Sequence, residues 1–280
     1  MIKIVADTLS CISLEKAHDL GIEYLPQIIE FGDNESYRDD TEIDSVTFLK
    51  KLRAATNLPH TAAPPPALYT PIYERLLAQG HTILVICPSG EVSGTVRSAE
   101  VAAKDFPGAD IRVINTKSIG SGLGVLVLKA LEWAEQGLDA DAITAKVLEM
   151  ASREKIYFLV NTLEYLQKGG RIGKAQALVG SLLQVKPILT IKDGHTEPVE
   201  SQRTKRRAMA RICELVEQTC PTNSDAHISV MQGDAIDDAN YLVDYFKKYL
   251  RIPDIPVFFI PPAILVHAGP GAVAVSYFTS

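Results

Sequence analysis

Apolar positions follow two rhythms along this chain. Short runs with almost no polar face, at residues 2–6, 82–87 and 111–114, alternate with longer stretches in which apolar residues recur every three or four positions. The first rhythm is that of strands buried on both sides, the second that of helices packed against them. The run at 2–6 ends in Asp7-Thr8, a strand leading into a polar loop. Ser13 is placed to cap a helix over 14–20, and Gly21 to end it. Residues 22–31 read as one extended stretch. Asp44 or Ser45 can cap a helix over 46–55 that lines up Val46, Leu49 and Leu52. The segment His60-Thr61-Ala62-Ala63-Pro64-Pro65-Pro66 can be neither regular helix nor central strand, and forms a stiff lead into a helix ending near Gly80. A helix over 93–104 follows the strand at 82–87, and helices over 123–136 and 140–153 follow the strand at 111–114.

The second half changes character. A strand at 156–160 precedes two helical stretches that flank a glycine-rich loop. Residues 187–192 and 195–202, joined by Asp193-Gly194, read as a hairpin. Thr204 can cap a helix reaching 218, and strands at 227–231 and 257–260 enclose a helix over 237–249. Residues 272–278 make a last strand. The pattern predicts an α/β protein of two domains. Residues 1–155 form a Rossmann-like domain, a mainly parallel sheet with helices on both faces; residues 156–280 form an α+β domain with a mixed or antiparallel sheet. The ligand site is expected between them.

Bulk composition narrows the classes. A chain of 280 residues with 46% hydrophobic content has ample material for a large core. The net charge of -6 argues against general nucleic-acid affinity, which needs a basic footprint. No apolar run approaches the ~20 residues of a membrane-spanning helix. The first residues already read as a strand rather than a secretory signal, so a cytoplasmic location is expected. Cys11, Cys87, Cys213 and Cys220 form no C-x-x-C pair and no zinc-like spacing, and no metal or cofactor is expected.

Three polar, glycine-bearing loops carry the candidate chemistry. The densest is Gly169-Gly170-Arg171-Ile172-Gly173, where glycines permit close approach and Arg171 offers a fork of donors suited to a carboxylate or phosphate. Capping of helix carbonyls is an equally good use for that arginine. Ser89-Gly90-Glu91-Val92-Ser93-Gly94-Thr95 follows the strand at 82–87, on the edge of a parallel sheet where ligands bind. Ser93 serves there as a helix cap, or as a cap that also sets a hydroxyl beside free N–H groups suited to an anion. Asn115-Thr116-Lys117-Ser118 lies on the same edge. His267 follows an apolar strand-like run and meets the glycine turn Gly269-Pro270-Gly271. Thr61 is either a turn threonine or a hydroxyl held rigid by the prolines. Gly120-Ser121-Gly122-Leu123-Gly124 departs from a dinucleotide fingerprint and fits a close approach of helix to sheet or ligand. The basic run Arg203, Lys205, Arg206, Arg207 and Arg211 reads as a solvated helix face or a docking surface for an acidic partner.

Taken in order, Val5-Ala6-Asp7-Thr8, Thr61 before prolines, Ser89-Gly90 with Ser93-Gly94-Thr95, Lys117-Ser118, the block from Thr162 to Gly173 and His267-Ala268-Gly269-Pro270-Gly271 resemble the DegV family. The likeness runs through essentially the whole chain. It implies a fatty-acid-binding protein, not itself an enzyme, that carries the acyl chain for a fatty acid kinase. A separate ATP-binding subunit would phosphorylate the bound carboxylate, and the acyl phosphate would pass to phospholipid synthesis, with transient membrane contact. Carried over by position, the resemblance gives Thr61, Ser93 and Gly94 to the carboxylate, and Ser118, Arg171 and His267 to the surrounding ligand site. It also gives Arg171, Arg203 and His267 a contact with the partner or its phosphate. Thr61-Ala62-Ala63-Pro64-Pro65 stands where the family often has Thr-Ser-Gln-Pro-Ser, and Thr95-Val96-Arg97-Ser98 where Thr-Tyr-Gln-Ser is commoner. The apolar helices over 123–131 and 175–183 are candidate tunnel walls. Two rival readings are an enzyme acting on a phosphorylated or nucleotide ligand, disfavoured by the missing P-loop and dinucleotide motifs, and a regulatory docking protein.

Overall fold

A computed structural model describes residues 1–179 and 185–280. The chain begins β1 (Ile2–Asp7), α1 (Leu14–Asp19), β2 (Glu23–Leu25), β3 (Ile28–Phe31), β4 (Glu35–Arg38), α2 (Ser45–Ala54), β5 (His60–Ala62), α3 (Pro66–Ala78) and β6 (Thr82–Cys87). It continues α4 (Thr95–Ala103), β7 (Ile111–Asn115), α5 (Ser121–Glu135), α6 (Ala140–Ser152), β8 (Glu154–Leu159) and α7 (Glu164–Lys168). After a 3-10 turn at Gly173–Leu178 come β9 (Lys186–Lys192), β10 (His195–Gln202), α8 (Lys205–Thr219), β11 (Ser229–Gly233), α9 (Ile236–Tyr249), β12 (Val257–Phe259), α10 (Pro262–Ala268) and β13 (Ala272–Phe278).

Two sheets organise the molecule. The first, ordered β2-β1-β6-β7, is wholly parallel. Its central strands are apolar on both faces because both faces are covered. Ile4, Ala6, Leu84 and Ile86 meet α1, α5 and α6 on one side. Val5, Ile83, Val85 and Cys87 meet α3 and α4 on the other. The second sheet, β10-β9-β8-β13-β11-β12, is antiparallel except where β11 and β12 run together. One of its faces carries Ile188, Val230, Val273 and Val275 against α8 and α9. Its other face looks back toward the first sheet through Ile156, Leu189, Met231, Ala272 and Ala274. The expected α/β class, with a parallel sheet first and a mixed sheet second, is what the chain adopts.

Several boundaries differ from the sequence reading. The stretch 22–31 is not one strand: Pro26-Gln27 break it, and β2 joins the parallel sheet while β3 joins a small antiparallel sheet ordered β4-β3-β5. Proline removes a ladder donor, so the break falls there. In α2, Asp44 is the cap, but Val46 is 77% exposed and Phe48 takes the buried place beside Leu49 and Leu52. Residues 262–268 are helical rather than strand-like, because Pro262 sits at a first-turn position where its missing N–H costs nothing.

The Gly120–Gly124 stretch is the close approach its spacing implied. A Cβ on Gly122 would overlap the Glu154 carboxyl, and one on Gly124 would overlap the Ser10 carbonyl. Bare backbone there lets α5 seat between the two sheets. Glu154 is held in place by Ser276 Oγ at 2.9 Å, and burial pushes its carboxyl up to about 7. Gly122→Ala is therefore expected to overpack this contact and destabilise the fold by roughly 1–3 kcal/mol. Urea denaturation checks it, and an unchanged midpoint would refute the tight contact.

Candidate functional site

In the parallel sheet, β1 connects to β2 on one side while β6 connects to β7 on the other. Their carboxyl ends form the switch point where an open α/β sheet leaves a crevice. Asp7 ends β1, and the Ser89–Ser93 loop follows β6. Ser89 ties that loop to the second sheet, donating to the Gly194 carbonyl at 2.9 Å. The loop delivers Ser93 and Gly94 to the N-terminus of α4, where no side chain caps the helix.

A slot opens here between the sheets, with about 930 Å³ of atom-free space including its mouth. Its inner wall is Ile156, Phe158, Met231, Ile260, Ala272 and Ala274, from β8, β11, β13 and the residue just after β12. Met231, Ile260 and Ala274 are buried, whereas Gly94 is exposed and Thr61 and Ser93 are partly so. The slot is thus apolar at depth and polar at its mouth.

Five expected residues converge at the polar end: Thr61, Ser93, Gly94, Arg171 and His267 all line the slot. Pairing of β5 with β3 sets Thr61 opposite Ile29 and so fixes its position. Thr61 Oγ1 lies 2.8 Å from His267 Nε2. His267 stands on the last turn of α10. A Cβ on Gly169 would overlap its Nδ1, so the glycine is what admits the imidazole. That Nδ1 is buried with no hydrogen-bond partner among the described residues. Burial, then the nearby Arg171 charge and His60, push His267 down to about 4. The imidazole is neutral at neutral pH.

Arg171 takes the capping role its loop suggested and adds a tie to the neighbouring loop. Its Nη1 donates to the Gly169 carbonyl at 2.7 Å, closing the end of α7, and its Nε donates to the Val92 carbonyl at 3.0 Å. The guanidinium thereby ties the glycine loop to the serine loop across the slot. Burial lowers its pKa, with no acidic partner to offset it among the described residues.

Behind Ser93 runs a buried polar chain. Ser93 Oγ lies 3.0 Å from Thr95 Oγ1, which donates to Asp7 Oδ2 at 2.8 Å. Gln27 Nε2 also donates to Asp7 Oδ2, at 2.8 Å. Asp39 accepts from Thr8 Oγ1 at 2.8 Å and from the Gln27 N–H at 2.8 Å. Asp7, Thr95, Gln27 and Asp39 were not singled out as site residues from sequence, although Asp7 at a strand's carboxyl end was the readable signal. Glu91 turns away from the slot, with its carboxylate 3.5 Å from His195 Nε2.

Other expectations do not reach the slot. Ser118 is buried beside Glu154 instead of facing it. Its loop contributes Ile119 and Gly120 to the lining. Arg203 is exposed at the start of α8, away from the slot lining. On α8, Lys205 pairs with Asp238, and Arg211 with both Glu200 and Glu214, so two of the five basic residues in that run are paired within the chain. The 123–131 helix packs in the core against β1 and β6, not on the slot. Of the 175–183 stretch, Ala175 is packed near Ile172 and Leu166, and 180–183 lies outside the described residues.

Fold and slot define the class: a two-sheet α/β protein with an interlayer pocket, greasy within and hydrogen-bonding at its mouth. The chain belongs to the DegV family, whose model, described as "Uncharacterised protein, DegV family COG1307", matches residues 1–280. It is 34% identical over 281 residues to a DegV domain-containing protein of Streptomyces coelicolor, covering 98% of this chain and 97% of that one. It is 30% identical over 278 residues to a Halalkalibacterium halodurans relative, covering 99% and 98%. A fatty-acid-binding DegV family protein from Thermus thermophilus superposes with a TM-score of 0.91 at 29% identity, covering 100% of this chain and 99% of that chain. DegV, a fatty acid binding protein from Bacillus subtilis, gives a TM-score of 0.86 at 28% identity, covering 100% and 99%.

The His267 environment has a measurable signature. Its NMR titration midpoint is expected near 4, and Arg171→Ala should raise it by removing a neighbouring positive charge. The unfolded chain binds a proton near the ordinary value of 6.5 while the folded chain does not. His267 therefore costs stability as pH falls through that window. A midpoint near 6.5 in the native protein would contradict the buried, cation-flanked site.

Proposed function

We propose that this protein binds a long-chain fatty acid, with its carboxylate at Thr61, Ser93 and the Gly94 amide and its tail in the interlayer slot. It presents that carboxylate to a separate ATP-binding kinase subunit for conversion to acyl phosphate. The single observation that carries the reading is the division of the slot: an apolar depth behind a mouth of two hydroxyls and a helix N-terminus. Fatty acid binding by the solved relatives from Thermus thermophilus and Bacillus subtilis supports it.

The physics matches this ligand. Each buried methylene is worth about 0.8 kcal/mol, so a sixteen-carbon tail supplies on the order of 12 kcal/mol before binding costs. The head needs only a few hydrogen bonds to set direction. Neutral His267, protonated on Nε2, donates to Thr61 Oγ1, and the Thr61 hydroxyl then donates to the carboxylate. Ser93 and the N-terminus of α4 address the same charge. Arg171 adds a partly desolvated cation close by without a carboxylate partner of its own among the described residues. Gly94 and the partly exposed Thr61 and Ser93 leave the head within reach of a second protein, while the tail stays enclosed. A kinase that acts on the head group need not extract the chain.

Native mass spectrometry of protein purified from bacteria is expected to show a bound acyl chain. Thr61→Ala and Ser93→Ala should each weaken binding of hexadecanoate about 10- to 100-fold, the cost of a lost hydrogen bond to a charged group. The corresponding methyl ester should be affected far less. No bound or added acyl chain in the wild-type protein would refute the binding reading. Unchanged affinity in both variants would refute the head-group assignment. Failure of the loaded protein to yield acyl phosphate with ATP and any fatty acid kinase subunit would remove the presentation step.

A further inference from the structure

The hydrogen-bond chain behind Ser93 has a direction, and the direction matters for an anion. Asp7 Oδ1 accepts from the Leu9 N–H at 3.1 Å, and Oδ2 accepts from both Gln27 Nε2 and Thr95 Oγ1 at 2.8 Å. Thr95 Oγ1 also accepts from Gln27 Nε2 at 3.2 Å. Ser93 Oγ accepts from the Thr95 N–H at 3.3 Å and lies 3.0 Å from Thr95 Oγ1. Asp7, Gln27 and Thr95 are essentially sealed from solvent, at 1%, 2% and 2% exposure.

A hydroxyl has one proton to give. With Asp7 ionised, Thr95 gives its proton to Asp7, and Ser93 gives its own to Thr95. Every acceptor is then served, but Ser93 has nothing left for a carboxylate. If Ser93 instead turned its proton to the ligand, the oxygens of Ser93 and Thr95 would face each other 3.0 Å apart without a hydrogen between them. That arrangement is costly where no water can intervene. Reversing the whole chain resolves the conflict.

We propose that Asp7 is a positioning residue for the head group: it takes up a proton from solvent when a carboxylate binds, so that Asp7 donates to Thr95, Thr95 to Ser93, and Ser93 to the ligand. No covalent bond changes, and Ser93 keeps its hydroxyl proton throughout. The counting closes at each oxygen. Thr95 Oγ1 accepts from Asp7 and Gln27 and donates once, and Ser93 Oγ accepts from the Thr95 hydroxyl and amide and donates once. This mechanism rests on the fatty-acid reading above.

The surroundings of Asp7 favour holding that proton. The titratable groups facing it are Asp39 from the turn after β4, Tyr24 of β2, Tyr69 of α3 and Cys87 of β6, with no cation among them in the described residues. Burial pushes Asp7 up to about 7 against its hydrogen bonds to Thr95, Leu9 and Gln27. An incoming carboxylate adds a further negative charge and raises it more. Proton uptake on binding makes affinity fall as pH rises above the free-state value, by up to about tenfold per unit.

The test uses the full chain and dodecanoate, titrated calorimetrically at pH 8 in two buffers of different ionisation enthalpy. Wild-type protein is expected to take up close to one proton per ligand bound. Asp7→Asn, which has no carboxyl to protonate, and Thr95→Val, which cuts the link, should both take up close to none, and their affinities should lose the pH slope. The same proton count in wild type and Asp7→Asn would overturn the proposal while leaving fatty acid binding standing. No dodecanoate binding by wild type would overturn the fatty-acid reading and this mechanism with it. Should either variant fail to fold, infrared difference spectra of wild type decide: a protonated-carboxyl band appearing on binding supports the proposal, and its absence overturns it.

Discussion

Side-chain volume on one face of β13 is the constraint on which the rest depends. Val273, Val275 and Tyr277 fill the core beneath α8 and α9, while Ala272 and Ala274 alternate with them toward the slot. Larger residues at those two positions would fill the space between the six-stranded sheet and the loops of the parallel one. Small ones hold a volume open. An unfilled apolar cavity is unfavourable by roughly 24 cal/mol per Å³, because its walls lack contacts. Native folds tolerate such a space where a ligand completes it. The α/β framework around it is rigid enough to keep the walls apart: both faces of the parallel sheet are covered by helices, and the mixed sheet is backed by α8 and α9.

The polar end obeys a different logic. It gathers an imidazole kept neutral, one guanidinium weakened by burial, and two carboxyls pushed up to about 7. In such a setting full charges are few, and recognition falls to hydroxyls and N–H groups whose directions are fixed by their neighbours. Thr61 is directed by His267, and Ser93 by Thr95. For the carboxylate proposed above, fixed dipoles at the mouth of an apolar slot would need no paired charges separated first. This also explains why the glycines around the site are bare: Gly169 admits the His267 ring, and Gly120 leaves room for Met231.

Much of this was legible in the chain because it is local. Apolar runs at 2–6 and 82–87 gave strands buried on two faces, Ser13, Asp44 and Thr204 are the caps their positions implied, and Asp193-Gly194 turns the β9–β10 hairpin. Thr61, Ser93, Gly94, Arg171 and His267 were placed together by their loops and by likeness to a family, and the fold brings them to one slot. What failed was long-range or competitive. Ser118 sits on the correct sheet edge but is buried near Glu154, thirty-six residues on, a proximity no spacing encodes. Residues 262–266 have strand-like composition, and only Pro262 at the first turn hinted at a helix. The 123–131 helix is as apolar as a tunnel wall, yet an interior helix has the same composition, and the core claimed it. The true walls carried a fainter mark, the small-large alternation of Ala272-Val273-Ala274-Val275.

The two halves of the site meet through the backbone, and this links recognition to enclosure. Arg171 grips the carbonyl of Val92, one residue before Ser93, and the carbonyl of Gly169, whose bare Cα lies against His267. A single guanidinium therefore sets the spacing between the hydroxyl donated by the parallel sheet's loop and the imidazole donated by α10. Ser89 adds a second tie to Gly194, on the hairpin of the mixed sheet. The mouth is thus the tied, directional part of the slot and the depth its apolar, undirected part.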